Sequence, residues 1–248
     1  MNLLFISLGC DKNLVDAEKM LGILGHDGFS FVDDENEADV IVINTCCFIG
    51  DAKEESVNTI LEMARLKETG RLKALVVTGC LAQRYREEII KEIPEVDAIL
   101  GTASYEEIGR AVREALEGRR TESFKDIDAP VSETTDRTVT TGGHYAFLKI
   151  AEGCDKRCTY CIIPYLRGKY RSVPMEQLVK EAGELAQKGV KELILVAQET
   201  TLYGKDLYGK KMLPELLKKL CAISGLQWIR LQYCYPEEIT DELIDTIR

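Results

Sequence analysis

Three apolar runs near the start of the chain, LLFISLG (3–9), DVIVINT (39–45) and KALVVTG (73–79), each close on a small residue followed by a cysteine. Those cysteines are Cys10, Cys46 and Cys80. Runs this long with hardly a polar break read as strands covered on both faces, because a strand with one wet face alternates apolar and polar positions. FSFV (29–32) and DAIL (97–100) supply two further short strands. Between them, stretches near 14–26, 51–69, 83–92 and 104–117 carry helical periodicity. Asn13 reads as the N-cap of the first of these helices, with Asp16 and Glu18 suiting its positive end. Strands alternating with helices imply a parallel sheet. All its strands point one way, so the residues that follow them collect at the carboxyl edge, where open α/β sheets hold ligands. One cysteine after a strand reads as core. Three at equivalent strand ends read as a shared site, and three soft thiolates suit an iron–sulfur cluster better than a hard cation. Gly9, Thr45 and Gly79 are small and leave room for something bulky. Cys47 points away from Cys46 if the strand geometry continues, and Cys221 and Cys234, alone in apolar settings, read as core.

The character changes at residue 118. The segment GRRTESFKDIDAPVSETTDRTVTTGGH (118–144) is rich in Thr, Ser, Asp and Gly without apolar periodicity, which reads as a linker. Alternation then restarts. YAFLKIA (145–151), KELILVAQ (191–198) and WIRLQYC (228–234) read as strands, with helices over 175–189, 213–224 and 241–248. The expected organisation is an α/β domain over 1–117, a linker over 118–143 and a second α/β domain over 144–248. Three parallel βα units leave an exposed sheet edge, so the second half reads as part of a larger barrel and of a longer chain.

Charge agrees with two units. The net charge is −10, and residues 1–118 hold 23 acidic against 12 basic side chains, so the whole acidic excess lies in the first half and the second is near neutral. An acidic balance argues against direct nucleic-acid binding, which calls for a basic face. No run reaches membrane-span length, and the amino-terminal MNLLFISLGC has no positive n-region, so neither a membrane nor an export signal is expected. Nine cysteines without an export signal point to the cytoplasm and to metal or catalytic use rather than disulfides.

The stretch EGCDKRCTYCIIP (152–164) follows the first strand of the second half and holds Cys154, Cys158 and Cys161 in C-x3-C-x2-C spacing. In a barrel this loop lies at the carboxyl-end face, where barrel active sites sit. A closed zinc site needs a fourth ligand. There is no other C-x2-C pair, and the histidines are His26 and His144.

A C-x3-C-x2-C loop after the first strand of a βα barrel resembles the radical S-adenosylmethionine (SAM) enzymes. The resemblance implies a radical SAM (βα) barrel, of which three βα units are present. It also implies a [4Fe–4S] cluster on Cys154, Cys158 and Cys161, whose fourth iron is left to SAM, and it gives Tyr160 the family's aromatic before the last cysteine. Together with the first-half triad, the chain resembles the methylthiotransferases, which implies a second [4Fe–4S] cluster on Cys10, Cys46 and Cys80. The motifs SLGCDKNLVDAEKM, INTCCFI, YAFLKIAEGCDKRCTYCIIPYLRGKYRS and LILVAQETTLYG are similar to the branch that acts on ribosomal protein. That implies methylthiolation of the β-carbon of an aspartate in a small-subunit ribosomal protein, with a flavodoxin- or ferredoxin-type electron donor. Val173 stands where the family often has Arg, and Glu199 where it often has Asp. The family also continues through three more βα units and a small β-domain. The rival readings are a tRNA-adenosine methylthiotransferase, an iron–sulfur electron carrier and a zinc-stabilised module.

Further candidates lie around the second triad. Arg167, Lys169 and Arg171 face a carboxylate ligand, or an acidic substrate surface, or only solvent. Gln198 and Thr200 follow the second barrel strand and so stand at the face expected for SAM. Tyr235 follows the third strand, which Pro236 ends.

Overall fold

The structure, a computed structural model, describes residues 1–131 and 137–248. It divides into two compact units. One is built from residues 1–129 with Arg137 and Thr138, the other from residues 139–248 with Pro130 and Val131.

In the first unit the strands are β1 (Asn2–Ser7), β2 (Ser30–Phe31), β3 (Val40–Thr45), β4 (Ala74–Gly79), β5 (Ala98–Leu100) and β6 (Thr121–Ser123). They form one parallel sheet in the order β2-β1-β3-β4-β5-β6. The helices are α1 (Asp11–His26), α2 (Gly50–Thr69), α3 (Cys80–Arg84), α4 (Arg86–Glu92) and α5 (Ile108–Leu116). Every residue of β3 and β4 is buried, as their unbroken apolar runs require. Strand side chains alternate between faces. Leu3, Val40, Val42, Ala74, Val76, Ala98 and Leu100 share a core with α1 and α5, whereas α2 packs on β3 and β4 from elsewhere in the crossover.

Two expectations change here. The segment 118–143 is not all linker, because Thr121–Ser123 pairs with β5 as the sheet's sixth strand. Later in it, Arg137 donates to the Glu18 carboxylate at 3.0 Å from Nε, with both side chains buried, and the Thr138 amide donates to the Glu18 carbonyl at 3.0 Å. Residues 132–136 of the expected linker lie outside the described residues. The helix expected over 83–92 is two helices, since Tyr85 leaves helical geometry (φ −120°, ψ 36°) and divides α3 from α4.

The second unit holds β7 (Tyr145–Lys149), β8 (Ala151–Glu152), α6 (Ile163–Arg167), β9 (Arg171–Ser172), α7 (Met175–Gln187), β10 (Glu192–Val196), α8 (Lys205–Tyr208), α9 (Leu213–Cys221), β11 (Trp228–Leu231) and α10 (Asp241–Ile247). β7, β10 and β11 form a parallel sheet in the order β11-β10-β7, and β8 pairs with β9 antiparallel. Its core joins Ala146, Leu148, Leu193 and Leu195 of the strands to Leu178, Ala182 and Leu185 of α7 and Leu213, Leu216 and Leu220 of α9. The three βα units and parallel sheet are those expected. The β8–β9 ribbon and the short helices α6 and α8, inserted into the crossovers, were not legible. Cys221 is exposed rather than core, because α9 buries Leu213, Leu216, Leu217 and Leu220 and turns its last residue outward.

At the amino end of β3, the Asp39 carboxylate is buried and accepts from the Asn2 amide at 2.9 Å and from Arg71 at 3.0 Å, with Lys73 at 3.1 Å. The Asn2 hydrogen bond, and then the two cations, outweigh burial and hold this carboxyl far below the usual range. A depressed folded pKa contributes stability above the unfolded value, near 3.9, and loses it as pH falls further. Asp39→Asn is expected to cost about 1–2 kcal/mol at pH 7, since Arg71 and Lys73 are more than half exposed and screened. Urea titrations should show the gap between variant and parent closing as pH falls below about 4.

Candidate functional site

The first unit assembles its cysteines by strand order. β1, β3 and β4 are neighbours, so Cys10, Cys46 and Cys80, which follow them, stand at one edge of the sheet. Cys10 is exposed and precedes the first turn of α1, while Cys46 and Cys80 are buried. The small residues before them serve the backbone rather than a ligand. Gly9 has φ +103°, and a Cβ there would lie 2.9 Å from Cys46 Cβ and 3.2 Å from its Sγ. Gly79 has φ +92°, and a Cβ there would lie 2.5 Å from both Asn44 Oδ1 and the Thr45 carbonyl. The space expected for something bulky is filled by the adjoining strand end. Thr45 is equally committed, its hydroxyl donating to the Thr78 carbonyl at 2.5 Å.

Asn13 is not the cap of α1, which begins two residues earlier with Cys10 in the capping position and no side-chain cap bond. It is buried, and its Nδ2 donates to the carbonyls of Leu8 (3.2 Å) and Thr45 (3.0 Å). Its Oδ1 accepts from the Cys80 thiol at 3.8 Å, and its own carbonyl accepts from Asn44 Nδ2 at 2.9 Å. Ser56 of α2 clamps Cys46, accepting from its amide at 3.0 Å and donating to its carbonyl at 2.8 Å. Cys47 is held apart as a thiol. It donates to the Cys80 carbonyl at 3.3 Å, and burial, reinforced by Cys80, pushes it up to about 11.

In the second unit, the loop carrying Cys154, Cys158 and Cys161 leaves β8 and enters α6. Gly153 has φ +74°, and a Cβ there would lie 2.1 Å from the Lys169 carbonyl and 2.5 Å from that of Gly168. The Cys154 amide donates to Gly168 at 3.1 Å, so the loop's first cysteine is fastened to the turn that ends α6. The Cys161 amide donates to the Cys158 carbonyl at 2.9 Å. All three thiols are half-buried. Burial raises the Cys154 thiol, the Lys156 amide opposes this, and Cys161, Cys158 and Glu199 add to the rise, which places these groups within electrostatic reach of one another. Cys158 and Cys161, with Arg157, Thr159, Pro164 and Tyr165, line a cavity of about 320 Å³. Tyr160 is 87% exposed. Among the described residues, no three Cys, His, Asp or Glu side chains are closed to ion-binding geometry.

Arg167 does not face ligand or solvent. It is buried and donates to Glu152 at 3.2 Å, alongside Lys149 at 2.6 Å. Burial would raise the Glu152 carboxyl, but Lys149 and Arg167 outweigh it and hold it near 2. Arg171 donates to the carbonyls of Arg167 (3.2 Å) and Lys169 (2.8 Å), ordering the turn. Thr200 is buried and donates to the Gln232 carbonyl at 2.8 Å, with Cys234 Sγ at 3.3 Å, while Gln198 is half-buried. Sequence reasoning missed Lys156. Its ammonium lies 2.9 Å from Glu238, 3.8 Å from Glu199 and 3.9 Å from the centre of the Tyr235 ring, tying the cysteine loop to the segments after β10 and β11. Lys211 and then Lys156 hold Glu238 near 2.

Comparison with known proteins agrees with the two-unit division. Residues 2–101 match the uncharacterized protein family UPF0004 and residues 148–248 match the radical SAM superfamily. The chain is 68% identical, over all of its length, to the ribosomal protein uS12 methylthiotransferase RimO of Lachnoclostridium phytofermentans, of which it covers 56%. It is 56% identical to the same enzyme of Clostridioides difficile, over 98% of the chain and 54% of the relative. The chain thus spans about half the length of these curated relatives. Among solved structures it is similar in fold to the radical SAM methyltransferase TsrM from Kitasatospora setae, with TM-score 0.63, 14% identity, and coverage of 99% of this chain and 57% of that one. The cobalamin-dependent radical enzyme OxsB gives TM-score 0.55 at 13% identity, covering 89% of this chain and 36% of that one.

The tightest constraint on the cysteine loop is Gly153. Gly153→Ala puts a methyl into two backbone carbonyls at a φ that L-residues avoid, a conformational cost of about 1–3 kcal/mol before the clash. The variant is expected to lower the denaturation midpoint and to raise the reaction rate of Cys154 with a thiol reagent, whereas Gly183→Ala, which meets nothing within 4 Å, should do neither.

Proposed function

We propose, from the premise that this chain is RimO-like over all of its residues, that it works as a radical SAM methylthiotransferase on ribosomal protein uS12. The finer reading is methylthiolation of an aspartate β-carbon, with one [4Fe–4S] cluster held by Cys154, Cys158 and Cys161 and a second by Cys10, Cys46 and Cys80. What supports it is the presence of two separate cysteine triads, one at the ends of three adjacent strands and one on a single loop beside a cavity. Three thiolates suit a cluster that leaves one iron for another ligand. When bound, such a pair of clusters with SAM supplies an electron, a carbon radical and a sulfur atom.

The chain's own residues supply position and charge. Gly153 and the Cys154–Gly168 hydrogen bond fix where the loop leaves the ribbon. Lys156 holds the loop's middle against Glu238 and Tyr235. Arg157 brings a cation to the cavity wall that Cys158 and Cys161 share, where thiols must lose protons to bind metal. Tyr165, which lines the cavity, and Tyr160, on the cysteine loop, are both exposed and offer aromatic faces to SAM or a substrate loop. Gln198, Thr200 and Arg171 remain proposed SAM neighbours, the last two through the backbone segments they order. A flavodoxin- or ferredoxin-type donor supplies electrons. No described helix is long and apolar enough to cross a membrane, and cysteine richness favours a reducing cytoplasm.

Anaerobic reconstitution tests the reading. About eight irons per chain are expected, falling to about four when either triad is changed to alanine. The reconstituted chain with SAM and reductant should add a methylthio group to uS12, seen by mass spectrometry, and none to tRNA. Stoichiometric zinc without iron, or product on tRNA alone, would overturn it.

A further inference from the structure

One buried side chain, Asn13, makes a hydrogen bond at or near the end of each strand that a triad cysteine follows. Asn13 is 1% exposed. Nδ2 takes the Leu8 carbonyl, two residues before Cys10, and the Thr45 carbonyl, directly before Cys46. Oδ1 takes the Cys80 thiol. Asn44, beside Thr45, closes the arrangement by donating to Asn13's own carbonyl.

We infer that Asn13 is a positioning residue that ties together the three strand ends from which Cys10, Cys46 and Cys80 would close on a metal. The inference rests on the reading that Cys10, Cys46 and Cys80 hold a cluster. The strands alone do not fix these ends. Sheet pairing of β1 with β3 runs only to Ser7 and Asn44, and that of β3 with β4 to Thr45 and Gly79, so the cysteines lie past the ladder. Backbone carbonyls beyond a ladder need another donor when buried. Nδ2 serves two of them and so pins the β1 turn to the β3 turn. The Oδ1 contact orders the Cys80 side chain while it is a thiol. On binding metal the sulfur gives up its proton, so that hydrogen bond is lost, and the two carbonyl bonds stay. Asparagine is suited to this because its amide has two donor hydrogens and an acceptor. Aspartate has the same shape but lacks the donors, and leucine lacks both.

The test uses the full chain with Cys154, Cys158 and Cys161 changed to alanine, so that all iron reports on the first triad. Asn13→Asp and Asn13→Leu are compared with the parent and with Leu75→Ala, a fully buried β4 position on the same sheet that leaves the amide in place. Iron and sulfide are measured per folded chain, with folding followed by circular dichroism and the cluster by electron paramagnetic resonance. Loss of a partner that orients ligands typically weakens metal binding about 10- to 100-fold. The expected result is at least a 10-fold faster loss of iron to a chelator in both Asn13 variants, with a changed resonance in any cluster that remains. Leu75→Ala should lose stability but retain iron and spectrum per folded chain. Asn13 variants that fold, load fully and keep the parent's resonance and chelator rate would overturn the inference alone. So would Leu75→Ala losing iron equally, since the effect would then be general destabilisation. A parent that takes up no iron would overturn the underlying reading and this inference with it.

Discussion

At three turns the backbone comes so close to its neighbour that no side chain fits, and a cysteine follows each of them. Gly9, Gly79 and Gly153 have φ of +103°, +92° and +74°, and a Cβ at any of them would lie within 3 Å of another group. In two cases that group is the end of β3, in the third the turn after α6. A glycine at such a turn lets the chain reverse tightly and places the next residue against the neighbouring segment. The thiol that follows is thereby placed by close contact between the turn and that segment. The candidate chemistry of both units depends on this device.

The two cysteine triads are nonetheless held by different physics. On the loop, spacing within one short segment does most of the work, and the ribbon of β8 and β9 and the Lys156 contacts limit its freedom. At the sheet edge, each thiol comes from a different strand, and strand order and register decide whether they meet. The sheet order puts β3 between β1 and β4, so Cys46 is central in that row. Asn13 and Ser56 attach the row to α1 and α2, so the helices take part in the site as well as in the core.

This difference explains what could be read from sequence. The strands ending in SLGC, INTC and VTGC are legible because short unbroken apolar runs bounded by turn residues suit strands covered on both faces. Their gathering at one edge followed from parallel pairing alone. The loop triad is legible from spacing, and the chemistry proposed for it rests on resemblance. The roles of polar residues were not legible, since a buried polar group is defined by partners distant in sequence. Asn13 looked like a helix cap, yet it serves Thr45. Arg167 looked like a ligand or surface cation, yet it neutralises Glu152 beside Lys149. Thr121–Ser123 lacked an apolar pattern because a three-residue edge strand needs only backbone pairing to join a sheet. Gly9 and Gly79 suggest room for a ligand in the sequence, but the neighbouring strand end takes that room.

The spread of the strand-end cysteines along the chain also bears on the order of events during synthesis. As the chain emerges, Cys154, Cys158 and Cys161 arrive together within a few residues, and a short unfolded segment already presents them as a chelate. Cys10, Cys46 and Cys80 arrive far apart, and they face one another only once β1, β3 and β4 have paired. Long-range parallel pairing of this kind is slow to form. On the proposed reading, the first unit must therefore be folded before its thiols could hold a metal, whereas the loop needs no such long-range pairing.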